Sequence, residues 1–410
     1  MGIDGINDTL RSKAEGVINC LKQSGNNINE LIFHKGVNLA NFAGTKMAFD
    51  ISILINAKMI TAHNEILLSQ SSMIGGYDRN ILLNKAIKGI LSFFGTIIAN
   101  GITPVIIFEG ETHPYKQVEV DKRREKKKEK NQRTGNLINN YMESHPLERT
   151  QAMEDEIKKS MKNSVRITKD DINSIKRVLI GLGFSCITAP YDAEKLCASL
   201  YKEGIVSSVY GNDTDNYPLG TGVLVTKIYW DGKISVCDTV ILDEIFKVLS
   251  CDFGYQVTPE ILIDLCIIHG CDFNERMLIP KAKSNSENPY KSCGPVTGTE
   301  FIKQYRHFEY FPASLQPFLP QLNYHVGRYM FTHHNTSGYD NETTNIDTDS
   351  FLRNYSSIMN EYNVDRYIVI QYNNANFNVL KGNNKLNFQN PMIDNGHHNT
   401  KIGIDMMSIY

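Results

Sequence analysis

The sequence of 410 residues is long enough for two or three domains, or for one large α/β domain with an added segment. With 41% hydrophobic and 21% charged residues, its composition is that of a globular protein and excludes a collagen-like or coiled-coil chain. The 43 basic and 45 acidic residues leave a net charge of −2, so binding to a polyanion requires a local basic surface.

The cysteines, the N-terminus and the apolar stretches indicate in which cellular compartment the protein is expected. The eight cysteines are scattered without a CxxC pair, which predicts reduced, intracellular thiols rather than a zinc site. The N-terminus, MGIDGINDTL, shows no charged-then-apolar pattern, so we expect no secretion signal. An uncharged stretch over 89–108 approaches the length of a membrane span, but the turn dipeptide Asn100-Gly101 divides it. We therefore predict a helix that ends near Ala99, a strand over 105–108 and no membrane segment.

Three short apolar runs each end in acidic residues and are followed by a helical pattern. They are Met47 to Phe49 before Asp50, Val105 to Phe108 before Glu109, and Val206 to Tyr210 before Asp213 and Asp215. Strands that alternate with helices predict an α/β fold with a mostly parallel sheet and helices on both faces. Because ligands bind outside the carboxyl ends of such strands, these acids are candidate site residues.

The region from about 111 to 165 is polar and dense in charge. Residues 121–130 read DKRREKKKEK, and 153–162 read MEDEIKKSMK. High helix propensity without a sustained apolar stripe predicts helices that project from the core. Taken alone, the basic run is typical of a solvated helix face or a nuclear localisation signal, and contact with nucleic acid is a further interpretation.

The rest of the chain predicts smaller elements. Residues 221–250 alternate apolar and polar around Asp231-Gly232, which predicts a hairpin. A predicted helix over 258–268 is followed by a polar loop at 280–293 and a helix over about 297–306. Two helices joined by a glycine-containing turn are a common clamp on the DNA backbone. The Asn-rich remainder predicts only one or two small strands or helices.

Seven acids form the candidate site: Asp50, Glu109, Asp192, Glu194, Asp213, Asp215 and Asp272. Each acidic pair alone has a plainer explanation as a helix N-cap or a surface charge. Together, so many clustered carboxylates need compensating charge, and Mg²⁺ or Mn²⁺ prefers carboxylate and water oxygens. Two such ions about 4 Å apart can clamp the attacking and leaving oxygens of a phosphodiester. The lack of P-loop, HExxH and GxSxG motifs weighs against triphosphatases, zinc peptidases and serine hydrolases.

Taken together, these motifs resemble the flap endonuclease/XPG family of structure-specific 5′ nucleases over about residues 1–310. The matching segments, in the family's order, are MGIDGI, FAGTKMAFDIS, GITPVIIFEG, DKRREKKKEK, APYDAEKLCASLYKEG, GNDTDN, and IDLCIIHGCDF with GPVTGTEFIKQY. The resemblance implies a PIN-like nuclease core over 1–256, with a helical arch at about 111–165. It also implies a helix-two-turn-helix DNA-binding region over 257–310 and a divergent C-terminal region over 311–410.

Roles for individual residues follow from the resemblance. It implies that the seven acids hold two Mg²⁺ ions, for which Mn²⁺ can substitute, and that Lys116 and Arg123 contact the scissile phosphate. It implies DNA binding by a further group: Gly2, Lys122, Arg124, Lys126, Lys127 and Gly294. Three positions depart from the family, since Glu109 replaces Asp, Asp192 replaces Glu, and Asn56 replaces an aromatic residue that stacks on a base. Because the two acidic exchanges keep the charge, we expect metal binding to survive.

The function implied by the resemblance is metal-dependent cleavage of flap, nicked or branched DNA in replication, repair or recombination. The expected partners are branched or nicked duplex DNA and replication or repair proteins, although the tail KIGIDMMSIY does not match a clamp-binding peptide. Two alternatives stay open: a 5′-3′ exoribonuclease of the same superfamily, and a non-catalytic DNA-binding scaffold.

The expected location is the nucleus. Abundant Asn, Ile and Lys suggest a large DNA virus, for which a host nucleus or cytoplasmic replication site is expected.

Overall fold

The computed structural model describes residues 2–23, 30–69, 78–161, 165–274, 276–281, 290–333 and 340–341. These residues fall into two compact units, divided after Phe49 and after Pro190. The first unit contains the described parts of 2–49 and 191–333, and the second contains those of 50–190 together with 340–341.

The helices in chain order are α1 (Ile6–Gln23), α2 (Ile51–Ser69), α3 (Arg79–Ala99), α4 (Gln117–Glu143), α5 (Gln151–Met161), α6 (Lys169–Gly181), α7 (Ala193–Lys202), α8 (Asn216–Leu219), α9 (Leu242–Phe253), α10 (Pro259–His269), α11 (Pro295–Tyr305), α12 (Leu319–Leu322) and α13 (Tyr324–Thr332). The strands are β1 (Phe33–Asn38), β2 (Lys46–Asp50), β3 (Thr103–Phe108), β4 (Ser185–Thr188), β5 (Ser208–Tyr210), β6 (Val223–Trp230), β7 (Ser235–Ile241), β8 (Leu278–Pro280), β9 (Tyr290–Ser292) and β10 (Asp340–Asn341).

The first unit is built on strands in the order β1-β7-β6-β5-β2. Strands β2, β5 and β6 run parallel, whereas β7 and β1 are antiparallel to their neighbours. The predicted hairpin is confirmed as β6–β7. Its turn is fixed by Asp231, whose Oδ1 accepts the N–H groups of Lys233 and Ile234 at 2.8 Å, and by Gly232 at φ +100°. Trp230 at this tip is 65% exposed.

The second unit has β3 and β4 in parallel and β10 antiparallel to β4. By length and composition, α3 alone among the described helices could cross a membrane. One face of this helix, including Ile90 and Phe94, is buried, and the helix packs against α2 and β3. This packing is that of a core helix, and it ends at Ala99, as predicted.

Helices α4 and α5 occupy the charged region of the second unit. The sequence predicts that neither helix has a face to bury. This prediction is wrong, because the two helices pack together along a narrow strip of buried side chains. Thr134, Tyr141 and Ile157 are buried there. The Tyr141 hydroxyl donates to Glu154 Oε1 at 2.7 Å. A few buried side chains are sufficient for this contact even though the helices lack an apolar stripe.

The prediction of a polar loop over 280–293 is partly wrong. Its described ends form two short antiparallel strands, β8 and β9. Residues 282–289 lie outside the described part of the chain. The flanking helices α10 and α11 are close to their predicted positions and pack against each other.

An ion-pair network joins α10 to α13 in the first unit. Asp264 has no exposed side-chain surface, and the guanidinium of Arg328 donates to both of its oxygens at 2.6 Å. His307 Nδ1 lies 2.9 Å from Asp264 Oδ2, and Arg328 also donates to Glu309. This paired donation fixes the orientation of α13, a helix in the region where the sequence predicts little order.

Candidate active site

Two of the predicted acids belong to the second unit and stand at strand ends. Asp50 is the last residue of β2, is 7% exposed, and accepts the N–H of Ser52 at 2.9 Å. Glu109 follows β3 directly and is exposed. One carboxylate oxygen of Asp50 and one carboxylate oxygen of Glu109 lie within 4.8 Å of each other. Two like charges at this distance repel, and a hard divalent cation offsets that repulsion.

The other five acids belong to the first unit and lie in three short segments. Asp192 occupies the N-cap position of α7 without a side-chain capping bond, and Glu194 is in the first turn. Their residues are only 4% and 9% exposed. Asp215 is 2% exposed in the turn after β5, where Asp213 accepts its N–H at 3.2 Å. Asp272 is partly exposed in the turn after α10.

Gly2 lies against the Asp213 turn. Its φ is +101°, and a Cβ atom built on it would be 2.0 Å from Asp213 Oδ1. The next N–H, of Ile3, donates to Thr214 Oγ1 at 2.6 Å. Only glycine fits this close approach, and the structure therefore brings Gly2 together with one of the predicted acids.

The predicted basic residues lie on and before α4 in the second unit. Lys116 ends a short 3₁₀ turn, and Arg123 Nε donates to Glu119 Oε1 at 2.9 Å one helical turn away. The predicted DNA-binding side chains on the same helix are also exposed: Lys122, Arg124, Lys126 and Lys127. Gly294, in contrast, belongs to the first unit, as the N-cap of α11.

Asn56, at a position where the resemblance places an aromatic ring, is exposed on α2. Its Nδ2 donates to the carbonyl of Ser52 at 2.8 Å. This contact is internal to the helix.

His269 has a structural role at the end of α10. It is fully buried at the end of α10, where Nδ1 lies 3.1 Å from the Asp4 carbonyl and Nε2 lies 2.9 Å from Thr299 Oγ1. Burial lowers the pKa of His269 to about 4. The ring is therefore neutral at pH 7 and holds the N-terminal segment on α10.

Sequence reasoning missed Lys195. Its Nζ lies 3.7 Å from Asp192 Oδ2, and its side chain is 14% exposed. The available signal was a basic residue in the first turn of a helix, directly after an acidic pair.

Two family models match the chain: the XPG N-terminal domain over residues 1–130 and the XPG I-region over 183–272. Together they cover more than half of the sequence and include all seven acids. The chain belongs to the flap endonuclease/XPG family. Flap endonuclease 1 of Entamoeba histolytica is 29% identical over 280 residues, which are 65% of this chain and 62% of that protein. The match thus spans less than two thirds of that XPG-family relative.

Solved XPG-family structures share the fold. The catalytic core of Rad2 in complex with DNA substrate has a TM-score of 0.52 at 17% identity, covering 83% of this chain and 96% of that one. Flap endonuclease-1 from Methanococcus jannaschii has a TM-score of 0.50 at 16% identity, covering 86% and 97%. The predicted PIN-like α/β class, with mostly parallel strands and helices, is confirmed. The domain boundaries near 256 and 310 stay predictions.

Proposed function

We propose that this chain is a divalent-metal-dependent, structure-specific 5′ nuclease that hydrolyses phosphodiester bonds in flap, nicked or branched DNA. The observation that carries the proposal is that all seven acids lie within the two segments matched by the XPG models, and that Asp50, Asp192 and Asp215 are buried. Buried carboxylates destabilise a fold unless something compensates their charge. Such a set supports metal binding more strongly than a scaffold role.

The metal is proposed to be Mg²⁺, with two ions held by the seven carboxylates and Mn²⁺ able to substitute. The donors are carboxylate oxygens, which suit these hard cations. When bound, the ions lower the pKa of the attacking water and stabilise the leaving oxygen. Glu109 and Asp192 keep the charge of the residues they replace, so we expect them to remain ligands with a reach altered by one methylene.

The basic residues on and directly before α4 are proposed to guide the DNA. Lys116 and Arg123 would donate to the scissile phosphate and so stabilise the charge that develops on its oxygens. Because Glu119 already holds Arg123, a phosphate must compete with a carboxylate for this guanidinium. Lys122, Arg124 and the two lysines Lys126 and Lys127 would attract the DNA backbone.

The two glycines are proposed to let DNA approach the main chain. Gly294 precedes the N-terminus of α11, where backbone N–H groups suit a phosphate, and Gly2 adjoins Asp213. Recognition would then depend on the shape and backbone of the DNA rather than on base edges. The complex of the Rad2 core with DNA substrate supports a DNA substrate for this chain.

Branched or nicked duplex DNA is thus the proposed partner, together with replication or repair proteins. A nuclear location, or a cytoplasmic replication site in the viral case, stays a prediction. A role in replication, repair or recombination would follow from the substrate.

Cleavage of 5′-end-labelled DNA tests the proposal. Flap, nicked and single-stranded DNA, and a single-stranded RNA for comparison, are incubated with Mg²⁺, with EDTA, and with the Asp213→Ala protein. We expect structure-dependent cleavage that EDTA abolishes and that the substitution slows by at least about 100-fold. Faster cleavage of single-stranded RNA would favour the exoribonuclease. Flap binding without cleavage in Mg²⁺ or Mn²⁺ would favour the scaffold.

A further inference from the structure

Lys195 places a positive charge beside a predicted metal ligand. Its Nζ is 3.7 Å from Asp192 Oδ2, and the two side chains are 14% and 3% exposed. Opposite charges that are shielded from water interact more strongly than an exposed pair. The carboxylate of Asp192 is thus accompanied by a cation of the chain itself.

Helix preferences do not explain a lysine at this position. Lys195 is in the first turn of α7, where the positive end of the helix dipole disfavours a cation. Asp192 occupies the N-cap but makes no side-chain capping bond. Its Oδ2 lies 3.7 Å from the lysine Nζ, and this attraction opposes the unfavourable dipole.

Buried side chains hold the ammonium group in place. Nζ lies 3.8 Å from Met330 Sδ and 5.2 Å from the ring centroid of Phe273. Phe273 in turn packs edge-to-face against Phe331 at 5.6 Å. Met330 and Phe331 belong to α13 and are each 1% exposed. A cation over an aromatic face in such a packed site is favourably placed.

We propose that Lys195 is a positioning residue that acts through Asp192. As an internal counter-ion, it holds this carboxylate in place without metal and lowers the affinity of the acids for Mg²⁺. The inference rests on the proposed function, since it assumes that Asp192 belongs to the metal site. Loss of the ammonium charge strengthens the field that attracts a divalent cation and increases repulsion among the carboxylates.

The test measures Mg²⁺ binding by calorimetry on the full chain without DNA. Lys195→Met removes the charge but keeps an unbranched side chain for the contacts with Phe273 and Met330. Lys202→Met, the matched control, removes a lysine from the last turn of the same helix. We expect the first change to lower the Kd for Mg²⁺ about threefold to tenfold and the control to leave it unchanged. An unchanged or higher Kd in Lys195→Met overturns the inference.

Two further variants separate charge from packing. Lys195→Arg retains the charge and is expected to retain a wild-type Kd, whereas Lys195→Gln repeats the neutral test if the Met variant does not fold. Without metal, both neutral variants should melt at a lower temperature, and Mg²⁺ should raise that temperature by more than in wild type. If the neutral variants melt at a temperature that is lower by the same amount with and without Mg²⁺, the role of Lys195 is purely structural and the inference is overturned. If wild type and Asp213→Ala both bind no Mg²⁺, the proposed metal site itself fails.

Discussion

Charged residues are abundant in α4 and α5 and sparse around α10 and α13, yet the fully buried carboxylate, Asp264, belongs to the sparse region. On α4, Arg124 pairs with Asp121 at 3.3 Å while the two side chains stay 69% and 58% exposed. In the other region, Arg328 donates to both oxygens of Asp264, which is fully buried. A dense run of charge therefore marks a solvated helix, whereas the charges that fix the fold are single residues far apart in sequence.

The two regions also differ in how much stability the protein loses when one charge is removed. Exposed pairs contribute about 0–1 kcal/mol, because water screens them and long side chains lose freedom. Removing one partner of a buried pair costs about 3–5 kcal/mol, because the other charge is left without compensation. Variants in each region test this difference, and the largest effect is expected at Arg328.

Replacing Arg328 with Met should lower the free energy of unfolding by about 3–5 kcal/mol at pH 7, since Asp264 would keep a buried charge. Urea unfolding followed by circular dichroism measures the change. Arg124→Met on α4 is the control and should stay within about 0.5 kcal/mol of wild type. Burial raises the pKa of Asp264, so this carboxylate is protonated more readily and the loss of stability should shrink as the pH is lowered. Equal effects of the two substitutions would contradict the comparison.

A second test concerns the buried imidazole at the end of α10. Burial holds the pKa of His269 at about 4, below its ordinary value of 6.5, so the folded state takes up a proton less readily than the unfolded state. Stability should therefore be complete above pH 6.5 and fall as the pH decreases toward 4, by up to about 1.4 kcal/mol per pH unit.

Urea unfolding at pH 7 and pH 5 checks this prediction. Wild type should lose about 1–2 kcal/mol more than His269→Gln over this interval, because glutamine does not titrate. Replacement of His325 by Gln is the control for the loss of a histidine at an exposed position. A pH dependence that His269→Gln does not alter would count against the buried neutral ring.

A third test addresses the narrow contact between α4 and α5. Tyr141→Phe removes the hydroxyl that donates to Glu154, at a cost of about 0.5–1.5 kcal/mol. Amide hydrogens in α4 and α5 should then exchange about threefold to tenfold faster. Tyr115→Phe, at a ring that is 52% exposed, serves as the control. Unchanged exchange would show that this hydrogen bond does not stabilise the helix pair.

The smallest effect on stability is expected from the exposed lysines of α4. Changing Lys126 and Lys127 to Gln together should alter the free energy of unfolding by less than about 0.5 kcal/mol. If both contact phosphate, DNA binding should weaken and the salt slope should fall by about 2. The same change at Lys233 and Lys247 in the other unit controls for net charge. Equal weakening in both double variants would refute a specific contact by α4.

Local patterns predicted the elements that are apolar along their own length. The runs before Asp50 and Glu109 became β2 and β3, and the turn at Asp231 became the β6–β7 hairpin. Strand β1 was not predicted, because FHKGVN has few apolar residues and is half exposed. It is ordered by pairing with β7, about 200 residues later, and no local pattern records such a partner.

The candidate site divides in the same way. Asp50, Glu109, Asp213 and Asp215 could be found from their places after predicted strands, because those places follow from the alternation of strands and helices. Asp272 lies instead in the turn after α10. The contacts of Lys195 could not, since Met330 is 135 residues away and lies in a helix that the sequence did not specify. The surroundings of a charged side chain are determined by packing between segments that are distant in sequence, and this packing is visible only in the structure.

The exposed hairpin tip has a spectroscopic consequence. Trp230 is the single tryptophan among 410 residues and is already largely in water in the folded state. Its fluorescence spectrum should therefore shift little when the buried helices melt, and an added quencher should reach it in the native protein. Intrinsic tryptophan emission is a reporter of one surface turn in this molecule, and it is insensitive to the packing that holds α10 and α13 together.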